Sequence, residues 1–236
     1  MTTLYYGADS GTTSNSCVSE LDFYIGELGG GLTAGDSNLC GSSFYRIFDT
    51  AFAQTMVKNG KKVYTYWVLA GPVFANSCNG VTSNQAAYDW GVSQGQAAYV
   101  AWIQAYDAGY VNTITIFADI EQGSTLGWGS NDTYNQQVLE GFQSQTGTSK
   151  GVYSAPCQWE VMGSYTLPGG TVVWTSEYNY GPLSGNQCLP QSWVVDNVTC
   201  LKSPSTKAVQ GFGGISPTVW QYGEAPDLDV STSLPS

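Results

Sequence analysis

The sequence predicts an α/β fold, a single-domain (β/α)8 TIM-like barrel that is irregular, with short or missing late helices. Three observations support this fold: the chain has 236 residues, it carries eight strand-like runs, and helical stretches separate several of them. Strands that alternate with helices are typical of βα units in a parallel sheet, and eight such strands suit a closed barrel. No internal repeat or linker-like stretch divides the chain, so we expect residues 1–236 to form one domain.

The predicted strands are short runs rich in β-branched and aromatic residues, bounded by turn-forming residues. In chain order they are residues 4–9, 21–28, 62–71, 113–119, 151–155, 171–178, 192–198 and 218–223.

The predicted helices follow from apolar residues at helical spacing. The first covers residues 43–60 and ends on Asn-Gly, the second runs from a cap at Ser83 or Asn84 to Gly109, and the third covers residues 133–144. Glycines inside the second helix weaken it and predict either close packing or a kink.

The charge balance excludes several classes of partner. Only 11% of the residues are charged, and 18 acidic residues face 7 basic ones, which gives a formal net charge of −11. The basic residues are scattered, whereas binding to phosphate backbones requires clustered Lys and Arg, so we expect neither nucleic acid nor membrane partners. The chain has no histidine, which removes His-based triads and most zinc sites. We therefore expect no metal and no cofactor.

Six cysteines at wide spacings, without a CxxC pair, suit three disulfides in an oxidising compartment. Fifteen pairings are open, and we favour Cys17–Cys40 and Cys188–Cys200, which leaves Cys78–Cys157. Buried free thiols are the alternative. Two N-x-[S/T] sequons, at Asn131 and Asn197, are compatible with a secreted chain. We expect an extracellular protein.

The run TITIFADIEQ (113–122) places two carboxylates, Asp119 and Glu121, at the end of an apolar strand. Residues i and i+2 of a strand share a face, and the C-terminal ends of barrel strands carry active sites. A protonated carboxyl beside an ionised one is the arrangement that glycoside hydrolysis requires. The alternative is that the pair caps a helix or lies in solvent.

Further acids strengthen the catalytic interpretation. Asp9 ends the first strand, and Asp227 and Asp229 follow the last predicted strand. First and last strands are neighbours in a closed barrel, so these acids are expected at the same rim. Aromatic residues at strand ends are candidates for stacking on sugar rings, although ordinary barrel packing explains them equally well. They are Tyr66, Trp67, Tyr153, Trp174, Tyr178, Trp220 and Tyr222.

Five motifs, in this order, resemble the strand-end motifs of family 25 glycoside hydrolases, which are lysozymes (N-acetylmuramidases) with an irregular β/α barrel. The motifs are YYGADS, FADIE, GVYS, WTSEY and VWQYGEAPDLDVS, and they span residues 5 to 231. A related group of glycoside-hydrolase-like domains occurs in secreted bacterial proteins. Each motif is short, so the resemblance depends on the whole series.

The resemblance implies a role for each matched acid. Glu121 matches the general acid, and Asp119 matches the acid that stabilises the transition state or orients the acetamido group of the substrate. Asp9 matches the acid of the first strand and Asp227 the acid after the last, while Asp229 stands where the family often has Asn. The family's Tyr-His-Phe motif on the third strand is represented by Tyr66-Trp67-Val68, without His.

The sequence thus favours a secreted glycosidase that cleaves β-1,4 links in N-acetylated glycans, either peptidoglycan-like or chitin-like. The net charge favours a neutral glycan over the anionic bacterial cell wall. Two alternatives stay open: a non-catalytic glycan-binding module on the same barrel, and an extracellular structural protein that self-assembles.

Overall fold

The computed structural model describes residues 5–9, 18–19, 21–31, 44, 46, 48–73, 81–122, 126–147, 149–176, 211–223 and 228–235. Within these ranges eight strands close into a barrel. They are β1 (Tyr5–Asp9), β2 (Phe23–Gly30), β3 (Lys62–Val68), β4 (Ile116–Asp119), β5 (Lys150–Ser154), β6 (Val172–Ser176), β7 (Val219–Gly223) and β8 (Leu228–Ser231).

The barrel follows chain order, with β1 to β7 parallel to their neighbours and β8 antiparallel to both β7 and β1. Only residues 224–227 separate β7 from β8. A parallel crossover needs a dozen or more residues, so this short connection requires the antiparallel arrangement. The prediction of an α/β chain with eight barrel strands is confirmed, but a regular (β/α)8 arrangement is not.

The described part of the chain contains three α-helices, α1 (Thr50–Lys58), α2 (Asn84–Asp107) and α3 (Asp132–Gln145), and a 3₁₀ helix (Gln158–Met162). Each α-helix begins where a side chain caps it: Asp49, Ser83 and Asn131 accept hydrogen bonds from backbone N–H groups of the first turn. The Asp49 cap explains why α1 begins seven residues later than the sequence predicts. No helix in the described ranges is long and apolar enough to cross a membrane.

The eighth strand differs from the prediction. The run at residues 192–198 lies outside the described residues, and the barrel closes with β8, a strand that the sequence pattern does not predict. Asp229, predicted to follow the last strand, therefore lies within β8, where it pairs with Gly7 and Gln221.

Side chains inside the barrel form an aromatic core. Tyr64 contacts Phe23 at 6.1 Å and Phe117 at 6.4 Å between ring centroids, and Phe117 contacts Trp174 at 5.5 Å, all edge to face. Such pairs contribute about 0.5–1.5 kcal/mol each beyond the burial of their surface. The Tyr64 hydroxyl donates to the Pro235 carbonyl at 2.8 Å, so the segment after β8 closes the end of the barrel opposite the strand C-termini. The interior is thus packed below its C-terminal end.

The second core lies between the barrel and the helices. Alternate strand residues such as Leu28, Trp67 and Ile116 face outward and are buried under α1, α2 and α3. Helices α2 and α3 pack closely because glycines occupy their contact points. A Cβ atom at Gly91 would meet the Val138 carbonyl, and one at Gly141 would meet the Tyr88 carbonyl.

We expect Gly91→Ala to destabilise the fold, although alanine is the better helix former. Overpacking typically costs about 1–3 kcal/mol, which exceeds the gain of about 1 kcal/mol in helix propensity. Gln96→Ala, at an exposed position of the same helix, is the matched control and should change stability little. Urea unfolding of both variants measures the difference, and a Gly91→Ala protein as stable as wild type would contradict the close packing.

Candidate active site

The strand parity of β4 places Asp119 inside the barrel. Phe117 belongs to the interior aromatic core, and Asp119 follows it by two residues on the same face. Strand pairing continues to this point, because Leu69 N–H donates to the Asp119 carbonyl and Ile120 N–H to the Tyr153 carbonyl, both at 2.9 Å. Asp119 therefore projects from a fixed backbone at the C-terminal end of the barrel.

Asp119 and Glu121 differ in burial. Asp119 is 5% exposed, and its Oδ1 atom is buried without a hydrogen-bond partner among the described residues, whereas Glu121 is only half-buried. Burial raises the pKa of Asp119 well above its usual range, and the negative charges of Glu121 and Glu27 raise it further. The resemblance to family 25 glycoside hydrolases assigns the proton of the general acid to Glu121. In the structure, burial and the neighbouring carboxylates favour the protonated form of Asp119, the less exposed member of the pair.

The other predicted acids are placed differently. Asp9, at the C-terminal end of β1, is 5% exposed and lies at the same end of the barrel as Asp119. Asp229 is fully buried in β8 and accepts a hydrogen bond from Trp174 Nε1 at 2.8 Å. Asp227 lies outside the described residues. The convergence of Asp9, Asp119, Glu121 and Asp227 on one pocket stays a prediction.

Three of the predicted aromatic residues face the barrel interior. Trp174 is 2% exposed and contacts the rings of Tyr153 at 4.2 Å and Tyr66 at 5.8 Å. The Tyr153 hydroxyl donates to Gln221 Oε1 at 2.6 Å. Trp174 is therefore a buried support for the side chains around it, with little surface left for a sugar, whereas Tyr66 is half-buried and more accessible.

Two other aromatic residues of the predicted set face away from the barrel interior and therefore do not share the face of Asp119. Trp67 is fully buried in the outer core and packs edge to face on Phe44 at 5.5 Å. Trp220 stands between Val219 and Gln221, whose side chains point inward, so alternation directs it to the opposite face. Tyr178 lies outside the described residues, as does the side chain of Tyr222.

The sequence analysis missed two inward-facing polar residues, Glu27 and Gln221. Glu27 accepts a hydrogen bond from the Tyr66 hydroxyl at 3.0 Å, and Gln221 binds Tyr153. The alternation of side chains along a strand could have identified both residues. Glu27 lies on the same face as Phe23 and Ile25, and Gln221 lies on the same face as Val219. Residue type and position near a strand end do not reveal the face on which an aromatic side chain lies.

A metal centre finds no support in this part of the structure. Across the described residues, no group of three or more His, Cys, Asp or Glu side chains is arranged to hold a metal ion. The carboxyl groups at the acidic end of the barrel can transfer a proton, and their ionised forms can stabilise positive charge.

The protein is an α/β barrel with two neighbouring carboxyl groups, Asp119 and Glu121, at the C-terminal end of its parallel strands. Solved structures with a similar fold include a muramidase from Trichobolus zukalii, at a TM-score of 0.59 and 15% identity over 95% of this chain and 92% of that one. A family 25 lysozyme from Aspergillus fumigatus has a TM-score of 0.55 and 13% identity over 98% and 95% of the two chains. A glycosyl hydrolase 25 of Streptococcus pneumoniae, described as a virulence factor participating in host cell invasion, has a TM-score of 0.54 and 14% identity over 98% and 87%.

No family model and no curated protein matches the sequence of this chain. The comparisons therefore show the fold alone, a barrel similar to those of family 25 lysozymes.

Proposed function

We propose that this chain is a glycoside hydrolase that cleaves β-1,4 links in N-acetylated glycans. The observation that carries the proposal is the Asp119–Glu121 pair at the C-terminal end of a lysozyme-type barrel, with Asp119 buried and Glu121 more accessible. Pairs of carboxyl groups whose surroundings drive their pKa values apart are the feature that identifies acid and base roles in such enzymes.

Glu121 is the proposed general acid. It is the accessible member of the pair and can therefore meet the glycosidic oxygen of a bound glycan. As the bond between the anomeric carbon and that oxygen breaks, the Glu121 carboxyl donates its proton to the leaving oxygen, and positive charge develops on the sugar or its acetamido ring. Water then adds at the anomeric carbon and restores the proton to the carboxyl pair.

Asp119 is the proposed stabilising acid. Two adjacent carboxyl groups that share one proton titrate as a unit, and burial favours Asp119 as the site of that proton before substrate binds. Positive charge that develops on the sugar favours ionised Asp119, so the shared proton passes to Glu121, which donates it to the leaving oxygen. Asp9 and Asp227 are proposed to complete the acidic site. Asp229 is proposed to act beneath it by fixing Trp174.

The proposed substrate is a neutral glycan of the chitin type or a peptidoglycan-like polymer. The formal charge of −11 opposes association with a strongly anionic wall and leaves neutral N-acetylated chains as the easier target. Tyr66 faces inward near the C-terminal end of β3 and is half-buried, and we propose it as a sugar contact.

Release of reducing ends from chitin oligomers and from peptidoglycan, measured for the wild-type protein between pH 3 and 8, tests this function. We expect hydrolysis with an optimum on the acid side of neutrality, because the pair must keep one proton and no histidine can replace it. Binding of the oligomers without hydrolysis at any pH would instead identify a glycan-binding module.

We also propose an extracellular location, with all six cysteines in disulfides. Cys157, the one cysteine among the described residues, is disulfide-bonded, and the five others lie outside those residues. Alkylation of the native protein without reductant should add no mass, whereas reduction beforehand should expose six thiols. Two or more adducts on the native protein would indicate a reducing compartment.

A further inference from the structure

We propose that Glu27 is a third carboxylate of the reaction centre, a positioning residue whose negative charge keeps the shared proton on the Asp119–Glu121 pair. The catalytic meaning of this role rests on the proposed function. The electrostatic role itself can be measured without any substrate.

The position of Glu27 in β2 directs its side chain into the barrel. Phe23 and Ile25, two and four residues earlier, both belong to the interior core, and strand alternation continues to Glu27. Glu27 pairs with Tyr66 in β3, near the C-terminal end of both strands. It therefore lies at the end of the barrel that carries Asp119.

A β-bulge fixes this position. Glu27 pairs with Tyr66 and Gly29 with Trp67, so β2 has one extra residue, Leu28, at this point. Gly29 has a φ of 148°, a backbone conformation that side chains rarely permit. Alternation directs Leu28 into the outer core, where it is 1% exposed, and the bulge interrupts the inward alternation directly after Glu27. The last inward-facing side chain before the bulge is thus a carboxylate.

Tyr66 holds the Glu27 carboxylate in place. Its hydroxyl donates to Glu27 Oε2 at 3.0 Å, and its ring packs against Trp174 at 5.8 Å. Trp174 is in turn fixed by its hydrogen bond to Asp229. Glu27 is therefore connected through packed side chains to the same support that lies beneath the proposed site.

The charge of Glu27 acts on Asp119. After burial and Glu121, it is the next cause that raises the pKa of Asp119. Lys62 and Lys150 begin their strands at the opposite end of the barrel, and Arg46 donates a hydrogen bond to Gln104 on α2. The inward-facing titratable groups near Asp119, within the described residues, are Asp9 on β1, Glu27 on β2, Tyr66 on β3, Glu121 on β4, Tyr153 on β5 and Asp229 on β8.

For catalysis, the charge of Glu27 affects the pH range over which the Asp119–Glu121 pair holds one proton. The proposed mechanism needs exactly one proton on the carboxyl pair, and a nearby negative charge delays the loss of that proton as the pH rises. Glu27 thereby extends the singly protonated state of the pair to higher pH, without contacting the reacting atoms.

The test is an NMR titration of the Asp119 carboxyl carbon in protein labelled with ¹³C at aspartate side chains, with Asp119→Asn used to assign the signal. In Glu27→Gln we expect the Asp119 midpoint to move to lower pH. The amide oxygen of Gln still accepts the hydrogen bond from Tyr66, so the fold is retained. Glu121→Gln should move the midpoint further in the same direction. Asp89→Asn removes one charge from the exposed face of α2, and it should leave the midpoint unchanged.

Tyr66→Phe distinguishes the effect of the Glu27 charge from the effect of its position. The variant keeps the Glu27 carboxylate and removes the hydrogen bond that holds it in place. We expect a smaller downward shift than in Glu27→Gln. An Asp119 midpoint in Glu27→Gln that stays within the range of Asp89→Asn, or that rises, would overturn the role of Glu27. A Tyr66→Phe midpoint equal to wild type would overturn the anchoring role of Tyr66. If the titrations behave as expected and the wild-type protein cleaves no glycan, the proposed function fails and the electrostatic role of Glu27 stands.

Discussion

Glu121→Gln is expected to lower the rate of hydrolysis of N-acetylated glycans by about 10²–10⁴-fold, which is the usual contribution of general acid–base catalysis. Gln has nearly the same shape as Glu but cannot donate the proton that the leaving oxygen requires. Because Glu121 is only half-buried and lies beyond the last paired residue of β4, the substitution should leave the fold intact. Reducing-end assays of the variant and wild type on the same oligomers measure the loss.

Two controls make this result specific. Glu160→Gln is the same chemical change at an exposed position of the 3₁₀ helix and should retain wild-type activity. Calorimetric binding of an uncleaved oligomer to Glu121→Gln should remain close to that of wild type, because the loss concerns the transition state. If Glu121→Gln hydrolyses glycans at the wild-type rate, Glu121 is not the general acid.

Much of the barrel is predictable from the sequence because local pattern and tertiary packing agree. The strand around Phe117 is apolar on both faces, as expected for a strand buried inside and outside a barrel. The second helix is found from its Ser83 cap and the stop at Gly109, and the structure confirms both, with Gly109 at a φ of 73°. The ends of such elements are determined by residues in or next to the elements themselves.

Other features depend on contacts that a linear pattern does not contain. The strand β8 has four residues, and only its pairing with both β7 and β1 makes it a strand. Trp67 is an aromatic residue near a strand end, as expected of a sugar contact. It directly follows the inward-facing Tyr66, however, and therefore faces the outer core. The choice of Asp119 as the buried member of the acid pair likewise depends on its depth in the barrel.

Asp119→Asn is expected to abolish most of the activity while it stabilises the protein near neutral pH. Loss of the carboxylate removes the counter-charge for the positive sugar, an effect typically worth about 10²–10³-fold in rate. The effect on stability has the opposite sign. The folded protein holds the Asp119 proton more tightly than the unfolded chain, because burial and the neighbouring carboxylates raise the pKa of Asp119.

The pH dependence of stability follows from this difference in proton binding. Below the ordinary Asp pKa of about 3.9, both states are protonated and Asp119 adds no penalty. As the pH rises towards the raised pKa of the folded state, the unfolded chain loses its proton first, so the free energy of unfolding of wild type falls. An uncharged Asn avoids that loss. Its advantage should therefore be absent near pH 3.5 and present at pH 7.5.

Thermal unfolding of both proteins at these two pH values measures the effect. We expect the Tm of Asp119→Asn to exceed that of wild type by about 2–4 °C at pH 7.5, the response of a chain of this size to about 1 kcal/mol. The exposed substitution Asp89→Asn controls for the change in net charge and should show no comparable gain. A Tm difference between Asp119→Asn and wild type that is the same at both pH values would show that Asp119 is not held protonated in the folded protein. The same result would remove the basis for a shared proton at the site. Because a purely structural aspartate would lose stability on substitution, a gain at neutral pH together with lost hydrolysis identifies a residue retained for its chemistry at a cost to the fold.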